Sequence, residues 1–195
     1  MGKQTGIIIL DGADCTGKTT IQQYFVYRMG AMPIHLTYPI PTQYIDMFDY
    51  HHSEMKRAIE LSKSNLVIVD RHWISEKIYS TVLREGNIYP GTDPEASCKQ
   101  MSDIWASHGA IYIICLPGFI KGAVERYLNN VDSKHPYTET QYTSLLLEYM
   151  KFWTESYLYR NDMLRYSIEF DGTNLDLFCE EAINFLNERR LKLNV

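Results

Sequence analysis

The chain has 195 residues, of which 45% are hydrophobic and 22% are charged, and its formal net charge at pH 7 is −5. This length and composition are typical of one globular domain with a sizeable core. The acidic balance argues against a nucleic-acid partner, because sequence-independent binding to a phosphate backbone needs clustered Lys and Arg.

Short β-branched segments alternate along the chain with longer segments of helical periodicity. This alternation predicts parallel strands joined by crossover helices, and apolar runs such as IIIL and LVIV fit strands covered on both faces. The predicted strands are 6–11, 32–37, 65–70, 110–115 and 165–170. The predicted helices are 18–29, 52–63, 73–84, 94–107, 118–128, 139–159 and 174–190. We expect an α/β fold, with a five-stranded parallel sheet flanked by helices, in a single domain over 1–195.

A glycine-rich loop, GADCTGKTT at 12–20, follows the first predicted strand and leads into the first predicted helix. It matches G-x-x-x-x-G-K-[ST] in full, the pattern of a phosphate-binding P-loop, whose backbone N–H groups face phosphate oxygens. Lys18 then reaches the β- and γ-phosphates, and the Thr19 hydroxyl can ligate magnesium. The alternative, a glycine-rich turn with an incidental lysine, is disfavoured by the complete strand–loop–helix context. The loop's predicted ATP-binding residues are Gly12, Ala13, Asp14, Cys15, Thr16, Gly17, Lys18, Thr19 and Thr20.

A second charged segment, DRHWISEKIY at 70–79, directly follows the third predicted strand. Parallel sheets bind ligands at the carboxyl ends of their strands, so we expect Asp70 near the P-loop, where it can hold magnesium through water. Arg71 can clamp a phosphate with two parallel hydrogen bonds. The alternative makes Asp70 the N-cap of the next helix and Arg71 part of a surface ion pair.

These two segments resemble those of thymidylate kinases, within the P-loop nucleoside monophosphate kinases. The family's loop reads roughly F-E-G-x-D-x-x-G-K-[ST]-T, and this chain has LDGADCTGKTT, with Asp11 in place of Glu. The family's D-R-Y-x-x-S-x-x-A-Y is matched at Arg71, Ser75 and Tyr79. The resemblance implies a three-layer P-loop kinase fold with a small lid, which falls at about 129–140.

The resemblance also implies roles for individual residues. Asp14 would contact the sugar 3′-hydroxyl of the acceptor, and Tyr79 would pack where a 2′-hydroxyl would sit, which favours deoxyribose; a core tyrosine is the alternative. The late DGT segment would border the adenine, adding Asp171, Gly172 and Thr173 to the ATP-binding residues. The implied acceptor-binding residues are Asp14, Tyr38, Phe48, His52, Asp70, Arg71, Ser75 and Tyr79. The expected catalytic residues are Lys18, Arg71 and Lys134, and the expected metal ligands are Thr19 and Asp70.

The chain departs from the family's pattern at three further places. The family supplies an arginine in the P-loop or the lid for the transferred phosphoryl group. This chain has Cys15 in the P-loop, Lys134 and His135 in the lid and Arg126 on the preceding helix, which leaves that cation unassigned. After the second strand, Tyr38 begins Tyr-Pro-Ile-Pro where the family has an arginine for the acceptor phosphate. The family's F-x-x-x-R at the base is matched by Phe48 and His52, and a histidine can accept as well as donate, so base preference is expected to differ. A solvated polar helix start is the alternative for His51 and His52.

The sequence is compatible with two kinds of phosphoryl acceptor, a nucleotide and a nucleoside. Deoxynucleoside kinases, a related family, place a Glu just after the second strand as a general base for a hydroxyl, and HLTYPIPTQY at 35–44 contains no carboxylate. A monophosphate needs mainly positioning and charge neutralisation, so the missing Glu favours a deoxynucleoside monophosphate, most simply dTMP. Asp70 can, however, substitute for the Glu. A third reading, a nucleotide-binding protein without efficient transfer, rests on the missing arginine.

The remaining expectations concern setting and partners. The apolar run near the start is too short for a signal peptide, no run approaches membrane-spanning length, and the four cysteines form no C-x-x-C pair. We expect a cytoplasmic enzyme with Mg²⁺ and ATP, nucleotide substrates and no membrane partner. By analogy with the family we expect a homodimer, with the aromatic residues of 142–159 in the core or on the dimer surface.

Overall fold

Five parallel strands form the centre of the molecule. The computed structural model describes residues 4–35, 43, 47–83, 94–129, 137–157, 162–167 and 174–193. The strands are β1 (Gly6–Asp11), β2 (Met32–His35), β3 (Leu66–Asp70), β4 (Ile111–Cys115) and β5 (Met163–Tyr166). Their order across the sheet is β2-β3-β1-β4-β5, and every neighbouring pair is parallel.

Seven helices connect these strands within the described ranges. They are α1 (Lys18–Met29), α2 (Met47–Ser62), α3 (Trp73–Leu83), α4 (Pro94–Ser107), α5 (Ile120–Asn129), α6 (Glu139–Tyr157) and α7 (Leu175–Leu193). The expected α/β fold with a five-stranded parallel sheet is therefore confirmed. None of the helices in this part of the chain combines the length and apolar character needed to cross a bilayer.

The sheet is covered on both faces, which explains the continuous apolar runs of its strands. Alternate residues of β1, such as Ile7 and Ile9, join a core cluster with α2, α3, α4 and α6. The intervening residues, Ile8 and Leu10, join a second cluster with α1 and α7. All six residues of β1 are buried, so the loop that follows it begins at a rigid, fully packed strand.

The largest differences from the predicted boundaries are in helix α2 and strand β5. Helix α2 begins at Met47, five residues before the predicted start at 52. Tyr50 is buried and the rings of Phe48 and His52, one helical turn apart, stack with their centroids 6.1 Å apart, so these aromatic residues belong to the first turns of the helix. Strand β5 spans Met163–Tyr166 rather than 165–170, because its pairing with β4 runs from Met163 opposite Tyr112 to Tyr166 opposite Cys115; residues 168–170 lie outside the described residues.

The topology fixes where a site can form. The carboxyl ends of β1, β2, β3 and β4 meet at one edge of the sheet, and the predicted P-loop follows β1 at this edge. Strand β3, which pairs with β1, ends at Asp70, so the segment from Asp70 and Arg71 onward starts beside the P-loop. The predicted lid at 129–140 falls mostly on residues 130–136, outside the described part of the chain, and the single-domain and lid assignments stay predictions.

Candidate active site

The loop between β1 and α1 has the backbone geometry of a phosphate cradle. Gly12 has φ of 144°, and a Cβ at this position would collide with the carbonyl oxygen of Cys115. Gly17, with φ of 96°, directly precedes helix α1 and has no side chain to cap it. The N–H groups of the first helical turn therefore remain available to an anion, and the helix dipole favours negative charge there.

Lys18 lies folded over this loop. Its Nζ donates hydrogen bonds to the carbonyl oxygens of Gly12, at 2.9 Å, and Ala13. The side chain is buried, and this burial lowers the pKa of Lys18 to about 8. A phosphate oxygen would offer the ammonium a full negative charge in place of two carbonyl dipoles, so an anionic ligand would stabilise the charged lysine at this place.

An open cavity of about 350 Å³ lies above the loop. It brings together predicted donor-side and acceptor-side residues, such as Asp14 and Arg71, which are 57 positions apart in the chain. The lining residues are Asp14, Cys15, Gly17, Lys18, Thr19, Thr20, His35, Asp70, Arg71 and Arg126. His35 and Arg126 belong to no predicted set of site residues, and they enter the cavity from the ends of β2 and α5.

Arg71 connects the loop to the second charged segment. Its guanidinium donates to the carbonyl of Gly12 at 3.2 Å and forms an ion pair with the Asp14 carboxylate. It also donates to the hydroxyls of Ser75, at 3.3 Å, and Tyr79, at 3.1 Å. The structure thus brings Asp14, Arg71, Ser75 and Tyr79 into one polar cluster, as the sequence pattern predicted. Arg71 is largely buried, which excludes the simple surface ion pair considered as its alternative.

The backbone of Arg71 is held in an uncommon conformation. Its φ is 68°, in the left-handed region that non-glycine residues seldom occupy, and its N–H donates to the carbonyl of Leu10 at 2.8 Å. A left-handed residue at the end of a buried strand turns the chain sharply. Such local strain is commonly found at functional sites, where the surrounding packing maintains it.

Asp11, the last residue of β1, organises the base of the site. Its Oδ1 accepts hydrogen bonds from the Gly12 N–H at 2.8 Å, the Ser75 hydroxyl at 2.6 Å and the Tyr149 hydroxyl at 2.7 Å. Its Oδ2 accepts from the backbone N–H groups of His72 and Ser75, at the start of α3. Burial raises the pKa of Asp11, and the hydrogen bonds from Ser75 and Tyr149 oppose this rise.

These contacts make Asp11, rather than Asp70, the residue that caps helix α3. The considered N-cap role of Asp70 is wrong, because Asp70 instead contacts His35 at 2.9 Å. The second oxygen of Asp70, Oδ1, is buried and has no hydrogen-bond partner among the described residues.

An orphaned carboxylate oxygen beside a phosphate loop fits a divalent cation. Thr19 and Asp70 line the same cavity, as a shared magnesium site requires. Within the described ranges no group of three or more His, Cys, Asp and Glu residues is arranged to hold a metal. Magnesium in nucleotide sites is commonly bound by one or two protein oxygens plus the substrate phosphates, so these residues fit it.

Two tyrosines of helix α6 complete the loop's support, and the sequence did not single them out. Tyr149 donates to Asp11, and the hydroxyl of Tyr142, seven residues earlier, donates to the backbone carbonyl of Asp14. The ring of Tyr142 stacks on Tyr127 of α5 with 4.0 Å between centroids. Their seven-residue spacing places the two tyrosines on one face of the helix, but the same spacing is typical of ordinary core residues, which is how the aromatic residues of 142–159 were interpreted.

The base-side prediction has a mixed outcome. Phe48 and His52 stack on each other on α2, as their four-residue spacing allows, but neither lines the cavity above the P-loop. His51 is fully buried, so the solvated helix start considered for it is wrong. Tyr38, Lys134 and Asp171, Gly172 and Thr173 lie outside the described residues, and their assignments stay predictions.

His51 and His72 form a buried pair between α2 and the start of α3. Their ring centroids are 4.7 Å apart, and His72 donates through Nε2 to the His51 carbonyl at 3.2 Å while Trp105 donates to its Nδ1. Both ring nitrogens of His51 lack a hydrogen-bond partner within the described structure. Burial lowers the pKa of His72 to about 4 and holds that of His51 well below its usual value, so both rings are neutral at pH 7.

Comparison with known proteins identifies the fold. No protein-family model and no curated protein matches the chain. The YorR protein from Bacillus subtilis, solved in complex with phosphorylated GDP, is similar with a TM-score of 0.66 and 16% identity, covering 95% of this chain and 98% of that chain. The chain has the fold of a P-loop kinase.

Two further solved structures share this fold. Deoxyadenosine kinase from M. mycoides, solved with the products dCMP and dCDP, has a TM-score of 0.60 and 17% identity, covering 90% of this chain and 97% of that one. Thymidylate kinase from Candida albicans has a TM-score of 0.51 and 11% identity, covering 93% and 94%. At such low sequence identities the similarity shows only the fold, and it does not distinguish thymidylate kinases from other P-loop kinases.

Proposed function

We propose that this chain is an ATP-dependent kinase that transfers the γ-phosphoryl group of ATP to a deoxynucleoside monophosphate, most simply dTMP. The observation that carries the proposal is the position of Arg71. Its guanidinium touches both the P-loop, at Gly12, and the polar cluster formed with Asp14 and Tyr79. A cation at the junction of a donor loop and a second polar cluster suits a reaction that passes a phosphoryl group between two phosphates.

The donor would be held by the loop and its helix. The N–H groups between Gly12 and Thr20 would bind the phosphates, and Lys18 would leave its two carbonyl partners for the β- and γ-oxygens. We assign Asp171, Gly172 and Thr173 to the border of the adenine. Magnesium, held by the Thr19 hydroxyl and Asp70, would neutralise charge on the β- and γ-phosphates.

The acceptor would be held by the cluster around Arg71. Arg71 would bind its phosphate, Asp14 its 3′-hydroxyl, and Tyr79 would favour deoxyribose by occupying the space beside the sugar. Phe48 and His52 are assigned to the base, and Tyr38 and Ser75 complete the acceptor side. Because a phosphate oxygen is already nucleophilic, the chain has to position it in line with the γ-phosphorus, and no general base is needed.

The remaining assignments concern the lid and the assembly. We assign residues at about 129–140 to a lid that closes over both nucleotides and excludes water, with Lys134 as the cation that meets the transferred group. A single kinase domain, a cytoplasmic location and a homodimer complete the proposal.

A deoxynucleoside kinase is the second candidate, and Asp70 is the observation that favours it. A nucleoside acceptor attacks through a hydroxyl, which benefits from a base to take its proton. The Asp70 carboxylate lines the same cavity as Lys18 and Arg71, so a carboxylate is present where such a base would act. In that reaction Asp70 would accept the proton of the 5′-hydroxyl as the oxygen bonds to phosphorus.

A product assay separates the two candidates. Purified protein would be incubated with Mg-ATP and, in separate reactions, each deoxynucleoside monophosphate, ribonucleoside monophosphate and free deoxynucleoside, and the products resolved by chromatography. We expect a diphosphate from dTMP or a few monophosphates. Monophosphates formed from nucleosides would establish the second candidate, and ATP binding without any product would contradict both.

A further inference from the structure

We propose that His35 is a positioning residue for the magnesium site, which holds the Asp70 carboxylate so that its other oxygen faces the metal. This inference rests on the proposed function, since it concerns the cation that accompanies the donor nucleotide. It assigns a role to a residue at the end of β2 that no part of the sequence pattern marked.

The pairing register of the sheet places the two side chains side by side. Strands β2 and β3 are parallel, and His35 is the register partner of Asp70. Both are the last residues of their strands. Partners in a parallel pair present their side chains on the same face, so the two groups meet at the carboxyl edge, where the P-loop also lies.

The contact between them has a defined direction. His35 Nδ1 lies 2.9 Å from Asp70 Oδ2. An ionised carboxylate can only accept, so Nδ1 carries the hydrogen and donates. This hydrogen bond occupies Oδ2 and leaves Oδ1, which has no hydrogen-bond partner among the residues that the structure describes.

Two nearby cations explain why the Asp70 carboxylate has to be held in one orientation. Lys18 and Arg71 line the same cavity as Asp70, and either would attract a carboxylate that was free to turn. The His35 contact restricts that rotation although the histidine itself is largely exposed, with 69% of its side chain accessible against 10% for Asp70. Partners of this kind orient metal-binding carboxylates, and their loss weakens metal affinity.

The test measures metal binding rather than turnover. Mn²⁺ would replace Mg²⁺ in a titration of the protein–ADP complex, with free Mn²⁺ followed by electron paramagnetic resonance. His35→Ala should bind Mn²⁺ roughly 10- to 100-fold more weakly, the effect of losing one hydrogen bond to a metal-binding carboxylate. His35→Asn should bind nearly as tightly as the natural protein, because its amide N–H can replace the Nδ1 donor. The matched control is His108→Ala, at an exposed histidine just before β4, at the amino ends of the strands and so on the far side from the site.

The outcomes distinguish this inference from the function on which it rests. If the natural protein binds Mn-ADP and His35→Ala binds Mn²⁺ equally well, the positioning role is wrong while the nucleotide site stands. Equal weakening in His35→Ala and His35→Asn would also overturn it, because the hydrogen bond would not be the cause. If the natural protein binds no ADP, with or without Mn²⁺, the proposed function fails and this role fails with it. ADP affinity in EDTA should be equal in all four proteins.

Discussion

Tyr149 and Asp11 are 138 positions apart in the chain, and the tyrosine hydroxyl donates a hydrogen bond of 2.7 Å to the aspartate Oδ1. The same oxygen accepts from Ser75, whose hydroxyl lies 2.8 Å from that of Tyr149. Three elements, β1, α3 and α6, are therefore joined at one buried carboxylate directly beneath the P-loop. The P-loop is held from below by this network and from the side by Tyr142.

Removing the Tyr149 hydroxyl should destabilise the protein. In Tyr149→Phe the buried Asp11 loses one donor, and a lost hydrogen bond to a buried carboxylate costs roughly 1–3 kcal/mol. We expect a decrease of that size in the free energy of unfolding, measured by urea denaturation. Tyr27→Phe, at a tyrosine that is 81% exposed, should have no effect. Equal stability of the two variants would show that the Tyr149 contact contributes nothing net.

Replacing Arg71 with lysine should impair the acceptor side while keeping its charge. A lysine has one compact head group and cannot contact Gly12, Asp14 and Tyr79 together as the guanidinium does. We expect kcat/KM for dTMP to fall roughly 100-fold in Arg71→Lys, with a smaller change in the KM for ATP. Arg57→Lys, on the exposed side of α2, serves as the control. Unchanged steady-state kinetics would remove Arg71 from the acceptor site.

The buried His51 should make stability fall in mild acid. Its pKa in the folded protein lies well below 6.5, so the unfolded chain binds the proton first as the pH decreases. The contribution of the neutral His51 to the free energy of unfolding is therefore complete above pH 6.5. Below that pH it decreases by about 1.4 kcal/mol per pH unit, until the pKa of His51 in the folded protein is reached.

Unfolding free energies between pH 7.5 and 4.5 would check this effect. Carboxylates titrate in part of this range, so the difference between the natural protein and His51→Leu isolates the histidine. That difference should grow in favour of the variant as the pH falls. A pH-independent difference would contradict the assignment of a neutral, buried His51.

Changing His52 to arginine should alter the preference for the base. If His52 reads the base beside the stacked Phe48, His52→Arg introduces the donor that thymidylate kinases have there and should raise the preference for thymine roughly tenfold, the effect of one charged hydrogen bond. Relative kcat/KM values over the panel of monophosphates would measure it, with His108→Arg as the control. Unaltered relative kcat/KM values would argue against the assignment of His52 to the base. That result would agree with the absence of Phe48 and His52 from the lining of the P-loop cavity.

Local motifs allowed much of the fold and the centre of the site to be predicted. The P-loop, the strand before it and the helix after it form a contiguous pattern whose geometry follows from glycines and apolar runs. The carboxyl ends of parallel strands lie on the same side of a sheet, so the position of each motif directly after its strand indicated that Asp14 and Arg71 lie near each other.

Other features depend on tertiary packing that no local pattern encodes. Tyr142 and Tyr149 have the spacing of core residues, and their hydroxyls reach the P-loop because α6 packs beside α3. The contact between His35 and Asp70 depends on the register of β2 and β3, which a four-residue strand does not reveal. The carboxylate that caps α3 belongs to Asp11, more than sixty positions away, whereas the neighbouring sequence offers only Asp70 as an alternative cap.

Transfer of label from γ-³²P ATP to dTMP tests the central claim most directly, in the natural protein, Lys18→Ala and the exposed-lysine control Lys121→Ala. We predict labelled dTDP with the natural protein and Lys121→Ala, and none above background with Lys18→Ala, because the phosphate charge is then left unpaired. No labelled dTDP from the natural protein, or equal amounts from Lys18→Ala, would contradict phosphoryl transfer at this P-loop to a nucleotide acceptor.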